Sequence, residues 1–203
     1  MTNNFPEMID IVFALDGETL PASYPFPLWA ELLRCVPEFT EQRNIGILPL
    51  RLTATVDGLL LPKRAKLVMR IPTELADQAM ARLSEHELEV GGSKLQLGRG
   101  KARQIQHSPT VHAQMVAGHA DEVIFMDDIN TQLRALGVTG NLICGRRHAL
   151  VGEQQSIQGF SLVIHDLKPE ASLKLQYAGL GVARQFGFGI FIPYKVISGL
   201  NDD

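Results

Sequence analysis

Apolar positions along the chain change period several times, and each change marks an element. MIDIVFALDG carries an apolar run from Ile9 to Leu15, stopped by Asp16-Gly17, as a strand ending in a turn would be. After Pro21, Pro25 and Pro27, residues Leu28, Trp29, Leu32, Leu33 and Val36 recur at helical spacing until Pro37 ends the pattern. GILPLRLTATVDG is mostly alternating at Ile47, Leu50, Leu52 and Ala54, which predicts a second strand closed by Asp57-Gly58. LLLPKRA is an excursion before the next strand, KLVMRIP. From Pro72, residues Leu75, Ala76, Ala79, Met80 and Leu83 line one helix face. ELEV and SKLQLG, joined by Gly91-Gly92, form a hairpin.

The order strand, helix, strand, strand, helix, strand then recurs. TVHAQMVAG predicts a strand, and Val123, Ile124, Phe125, Ile129, Leu133 and Leu136 predict a helix from Asp121 to Leu136, closed by Gly137. NLICGRRHALV and QGFSLVIHDL are two strands joined by the polar segment Gly152 to Ile157. Lys168-Pro169-Glu170 starts a helix running to Gly179, with Pro169 where its missing N–H costs least. Leu173, Leu175 and Tyr177 in that stretch also alternate as a strand would. GFGIFIPYK supplies the last strand. The prediction is α+β: two tandem ferredoxin-like (RRM-like) βαββαβ domains, 1–104 and 105–203, with a glycine-rich loop near the C-terminus. The repeat lies in element order and not in residue identity.

Composition narrows the chemistry. Of 203 residues, 45% are hydrophobic, enough for two small cores, and the formal net charge is −3. A protein that coats nucleic acid on every face would be strongly basic. Any contact with a polyanion must therefore be local. The N-terminal segment lacks a basic stretch followed by an apolar run, and no apolar stretch is long enough to span a bilayer, so the cytoplasm is expected. Cys35 and Cys144 stand far apart, and His86, His107, His112, His119, His148 and His165 show no HExxH spacing, so neither metal nor cofactor is expected. GxxxxGK[ST] and GxSxG are absent.

Gly179, Gly181, Gly187 and Gly189 flank Arg184 within eleven residues. Backbone amides in such a loop can hold phosphate oxygens; a helix cap, a turn and a glycine-weakened strand is the plainer alternative. Arg184 to Phe191 partly matches the RRM aromatic motif, broken by Gln185 and Gly189, so Phe186 and Phe188 either stack bases or pack in a core. Cations gather at Lys63, Arg64, Lys66 and Arg70, at Arg99, Lys101 and Arg103, and at Arg146-Arg147. Each group alone reads as a solvated face; three in a near-neutral chain suggest a one-sided basic surface. His148, beside two arginines that disfavour its charged form, is a candidate base.

SLKLQYAGLGVARQFGFGIFIPYK resembles the glycine-rich signature of the "Cas six" family of CRISPR-associated repeat-RNA endoribonucleases, within the RAMP superfamily. LPASYPFPLWAELLRCVPEF and SKLQLGRGKARQIQHSPTVHAQMV are similar to the first-helix and central segments of its Myxan subtype, so the resemblance spans nearly the whole chain. It implies a tandem ferredoxin-like fold and metal-independent cutting of a CRISPR precursor transcript. The partners implied are repeat stem-loop RNA, the mature crRNA and other effector-complex subunits. Where the subtype carries Asp-His, this chain has Ser23-Tyr24.

Cleavage of this kind needs a base near the 2′-hydroxyl, cations for the phosphorane and an acid for the leaving 5′-oxygen. Three readings follow. Tyr24, with Ser23 beside it, works with a lysine or arginine; His148 or another histidine has taken over; or the protein is a noncatalytic repeat-RNA-binding subunit. RNA contacts are expected from Arg146, Arg147, Arg184, the four glycines, Lys63, Arg64, Arg99, Lys101 and Arg103.

Overall fold

A computed structural model describes residues 5–42, 44–56 and 58–194. The first half contains β1 (Met8–Asp16), β2 (Thr19–Leu20), α1 (Pro25–Cys35), β3 (Gly46–Ile47), β4 (Thr53–Thr55), β5 (Gly58–Leu60), β6 (Lys66–Pro72), α2 (Ala76–Leu83), β7 (Glu87–Val90), β8 (Ser93–Leu97) and β9 (Lys101–Gln104). Its main sheet runs β3-β6-β1-β8-β7, and β9 also pairs with β1. Counted by position this is 2-3-1-4, the ferredoxin-like order. The fourth position is shared: β8 meets Leu15 and Asp16, β9 meets Ile9 to Val12, and Gly98–Gly100 separates them.

Alternation fixes the faces of this sheet. Ile9, Ile11, Phe13 and Leu15 point into a core with Leu28 and Leu32 of α1 and Ala79 and Leu83 of α2. α1 begins with Pro25 at its first turn and ends before Pro37, as the proline spacing predicts. GILPLRLTATVDG, expected as one strand, is two. β3 joins the main sheet and β4 joins β2 and β5 in a separate three-stranded sheet. Pro49 lies between them and has no N–H to continue the ladder. Asp57 of the expected turn lies outside the described residues.

The second half contains β10 (Val111–Ala117), α3 (Glu122–Leu136), β11 (Asn141–Val151), β12 (Ser156–His165), α4 (Pro169–Ala178) and β13 (Ile192–Pro193), in sheet order β11-β12-β10-β13, again 2-3-1-4. Asp121 caps α3 by accepting from Val123 and Ile124, and Gly137 closes it at φ +65°. Phe125, Ile129, Leu133 and Leu175 cover Val111, Val116, Leu162 and Ile164. The ambiguous 171–178 stretch is helix. The last strand is only Ile192–Pro193, because Gly187 and Gly189 take φ +96° and +66° and cannot extend it; Lys195 lies outside the described residues.

The halves meet through a buried arginine. Arg70 of β6 holds Asp10 by two bonds of 2.8 and 3.2 Å and donates to the carbonyls of Gln176 and Phe191 at 3.1 and 2.6 Å. No described helix is long and apolar enough to cross a membrane.

Candidate nucleic-acid interface

Two bulges lie at one level of the second sheet. In β10 the register slips between Ala113 and Val116, in β11 between Cys144 and Arg147, and both slips face Ser161 of β12. A bulge reverses the phase of side chains and re-aims them. Arg147 pairs with Phe160, which faces the helices, so Arg147 lies on that face and donates to Gln158 at 2.8 Å. His148 pairs with Gly159 and takes the opposite, open face, together with Leu150. The two cations expected to flank His148 are thus divided, one in the bulge and one on the far face. A Cβ on Gly159 would overlap the Val116 carbonyl, so the position across the ladder from His148 presents backbone only.

On this open face a small apolar cluster joins three parts of the chain. Ala117, Leu150 and Phe188 are buried together, with Phe26 of α1, Met115, Ile157, Ala183 and Phe186 packed against them. Phe26 and Phe186 meet edge-on at 4.9 Å. Phe188 is fully buried and Phe186 lies against Phe26, which is the core-packing alternative for this pair.

The glycine segment is docked by its own amides. Gly179 donates to Leu175, Gly181 to Gln132, Gly187 to Arg184 and Gly189 to Met115, whose carbonyl lies in the β10 bulge. None of these four N–H groups is left for a phosphate, and only Gly181 of the four is exposed. The expectation that they cradle phosphate is corrected on that ground.

Arg184 is corrected too. It is 4% exposed and donates to the carbonyls of Tyr177 and Ala178. With Arg70 on Gln176 and Gly179 on Leu175, all four carbonyls at the end of α4 have donors. Cations suit that negative end of the helix. Burial, and then Arg70, lower the Arg184 pKa to about 9, so it remains charged at neutral pH while presenting no charge to solvent.

Tyr24 precedes α1, buried, and its hydroxyl accepts the Leu50 N–H at 2.9 Å. Desolvation outweighs that bond and pushes its pKa up to about 12. An un-ionised, occupied hydroxyl is no base at neutral pH. Ser23 sits half-buried in the turn whose carbonyl accepts Phe26 N–H.

The two lysine-arginine groups of the first half converge. β6 and β9 flank β1, and register places Arg70, Asp10 and Arg103 on one rung, Val68, Val12 and Lys101 on the next, and Lys66 beside Ala14. These residues share the face opposite the helices. Arg103 is held to Asp10 at 3.0 Å; among the described residues Lys66 and Lys101 form no ion pair. Lys63 and Arg64 are exposed in a turn, and Arg99 in the Gly98–Gly100 link, near the end of β1. Arg146 and Arg147 sit on β11, the edge strand of the other sheet, and do not join this stripe. No described group of three His, Cys, Asp or Glu is placed to hold a metal ion.

The Arg70–Asp10 link was missed from sequence. Its signal was present: Asp10 is a carboxylate inside an otherwise apolar strand, and a carboxylate there requires a buried cation.

Comparison with known proteins agrees with this architecture. The family described as Cas6 Crispr matches residues 9–196. A CRISPR-associated endonuclease Cas6 of Myxococcus xanthus (strain DK1622) is 31% identical over 192 residues, covering 94% of this chain and 83% of that protein. Among solved structures, a CRISPR associated protein Cas6 superposes with a TM-score of 0.68 at 10% identity, over 93% of this chain and all of that one. A RAMP protein binding different RNA substrates superposes with a TM-score of 0.69 at 14% identity, over 92% and 100%. The structural likenesses speak for the tandem ferredoxin-like fold. With the family match across most of its length and the Myxococcus relative, this chain belongs to the Cas6 family.

Proposed function

We propose that the chain is a metal-independent endoribonuclease that binds a CRISPR repeat stem-loop and cuts it through its own 2′-hydroxyl. The Myxococcus relative is named a CRISPR-associated endonuclease, which supports the activity. One observation carries the assignment within this chain. His148 lies on the open face of the second sheet, the face on which the glycine segment and the start of α1 pack.

In this reading His148 takes the proton of the attacking 2′-hydroxyl, a role suited to imidazole near neutral pH. Ser23, beside the start of α1, hydrogen-bonds the ribose. Arg146, in the adjoining bulge, meets phosphorane charge. As the bond from the 2′-oxygen to phosphorus forms, the bond from phosphorus to the 5′-oxygen breaks and that oxygen takes a proton from solvent water, leaving a 2′,3′-cyclic phosphate and a 5′-hydroxyl. Tyr24 supports the site by holding Leu50. Lys66, Lys101 and Arg103, with Lys63, Arg64 and Arg99, form the surface for the RNA backbone, and Arg146 and Arg147 contact the stem. Residues 1–104 and 105–203 act as the two domains, in the cytoplasm, and the cut guide RNA stays bound for other effector subunits.

The test is cleavage of repeat RNA in EDTA by wild type, Tyr24→Phe and His148→Ala. Wild type and Tyr24→Phe cut, and His148→Ala does not. Repeat RNA left whole by a wild-type protein that binds it reduces the function to holding RNA.

A further inference from the structure

Among the described residues, only part of the open face of the second sheet is covered. The glycine segment and Phe26 take the end carrying Leu150 and Ala117. At the other end, register sets Ile143, Val163, His112 and Ile192 in one row across all four strands. None of Ile143, Val163 or Ile192 belongs to any of the three apolar clusters, and Ile143 is 54% exposed. Two positions beyond Ile192, on the same face, stands Tyr194, 46% exposed. Its ring meets that of His112 edge-on at 5.2 Å and 84°.

His112 packs its ring against Tyr194 but leaves a polar atom unused. Its Nδ1 is buried without a hydrogen-bond partner among the described residues. Burial and then Arg51 keep its pKa below that of a free histidine, so the ring is held neutral. Arg51 is exposed. A neutral ring, a half-exposed tyrosine, an apolar row and a nearby cation match what an unpaired nucleotide requires: a stacking surface for the base and a charge for its phosphate.

We infer that the open face around His112 and Tyr194, with Arg51 beside it, is a second RNA subsite that stacks unpaired nucleotides flanking the repeat stem. The inference rests on the RNA-cutting reading above. Continuity supports it: His148 and His112 share one face, and their partners Gly159 and Val163 are about 13 Å apart along β12 at ~3.3 Å per residue. A strand whose ribose reaches His148 can continue along the sheet to His112. His165, two residues after Val163 on this face, is engaged by Asp166 at 2.8 Å and is left out of the platform.

The experiment measures binding of two repeat hairpins, one with its unpaired flanking nucleotides and one trimmed to the stem-loop. The proteins are wild type, Tyr194→Leu, His112→Leu and Tyr194→Phe. Each leucine variant weakens binding of the flanked RNA roughly tenfold, the scale of one lost base–aromatic stack, and leaves the trimmed RNA within about twofold. Tyr194→Phe keeps the ring and binds like wild type. A base analogue in the flank, quenched by wild type, regains its fluorescence with Tyr194→Leu. Equal binding of the flanked RNA by wild type and both leucine variants overturns the subsite while leaving the RNA-cutting reading intact. A wild-type protein that binds neither hairpin overturns both.

Discussion

Replacing Arg184 with methionine separates a structural arginine from an RNA-binding one. The side chain of methionine fills much of the same space but donates nothing. It strands the carbonyls of Tyr177 and Ala178 at the buried end of α4. Each stranded group costs about 1–3 kcal/mol. Part of that is recovered, because the guanidinium is itself buried, with Nε and Nη2 unpartnered and Arg70 close enough to repel it. The net loss expected is about 3 kcal/mol, which for a chain of this size lowers Tm by about 6–12 °C. Arg184→Lys recovers only part, since the lysine side chain ends one atom short of Nη1, the single nitrogen that bonds both carbonyls. Thermal and urea denaturation followed by circular dichroism read the stability. The slope of log binding constant against log salt, taken below the transition, reads the charge. That slope stays at the wild-type value. A variant of wild-type stability whose slope falls by about 0.7–0.9, the value of one phosphate contact, would make Arg184 an RNA contact instead.

Other perturbations follow from the same geometry. Tyr24→Phe leaves the buried Leu50 N–H without its acceptor and costs about 1–3 kcal/mol in chemical denaturation. In wild type the unfolded Tyr24 loses its proton near pH 10 while the native one keeps it to about 12. Over that window the unfolded state binds fewer protons, so stability falls with rising pH by about 2–3 kcal/mol, a loss that Tyr24→Phe removes. Gly189→Ala places a methyl against the Leu180 carbonyl at φ +66° and undocks the glycine segment from β10; limited proteolysis between 179 and 191 rises sharply over wild type. Lys66→Ala and Lys101→Ala leave Tm unchanged and each lowers the salt slope of repeat-RNA binding by about 0.7–0.9.

Element order was readable because each helix and strand carries its own period and boundary. Pro25 and Pro37 bracket α1, and Asp121 and Gly137 bracket α3. The errors have local causes. Alternation across Ile47 to Ala54 concealed the break at Pro49, since a period says nothing of which strand will pair. The stretch from Gly187 to Ile192 read as a strand although Gly187 and Gly189 take left-handed conformations. The site was less legible. Lys66, Lys101 and Arg103 are neighbours only because β6 and β9 both pair with β1, a long-range fact. Arg184 read as a surface cation because arginines are rarely buried, and its partners are carbonyls that no side-chain pattern reveals. The placement of Arg147 and His148 on opposite faces follows from alternation, but the bulge at Gly145-Arg146 decides which face each takes.

The most direct measurement is a structure with repeat RNA whose scissile ribose is 2′-deoxy, so that it binds uncut. This ribose is expected to rest on the open face of the second sheet, with the His148 imidazole the nearest titratable group to its 2′-carbon. A scissile ribose on the helix-side face near Arg147, or one approached by an uncovered Tyr24 hydroxyl, would contradict it.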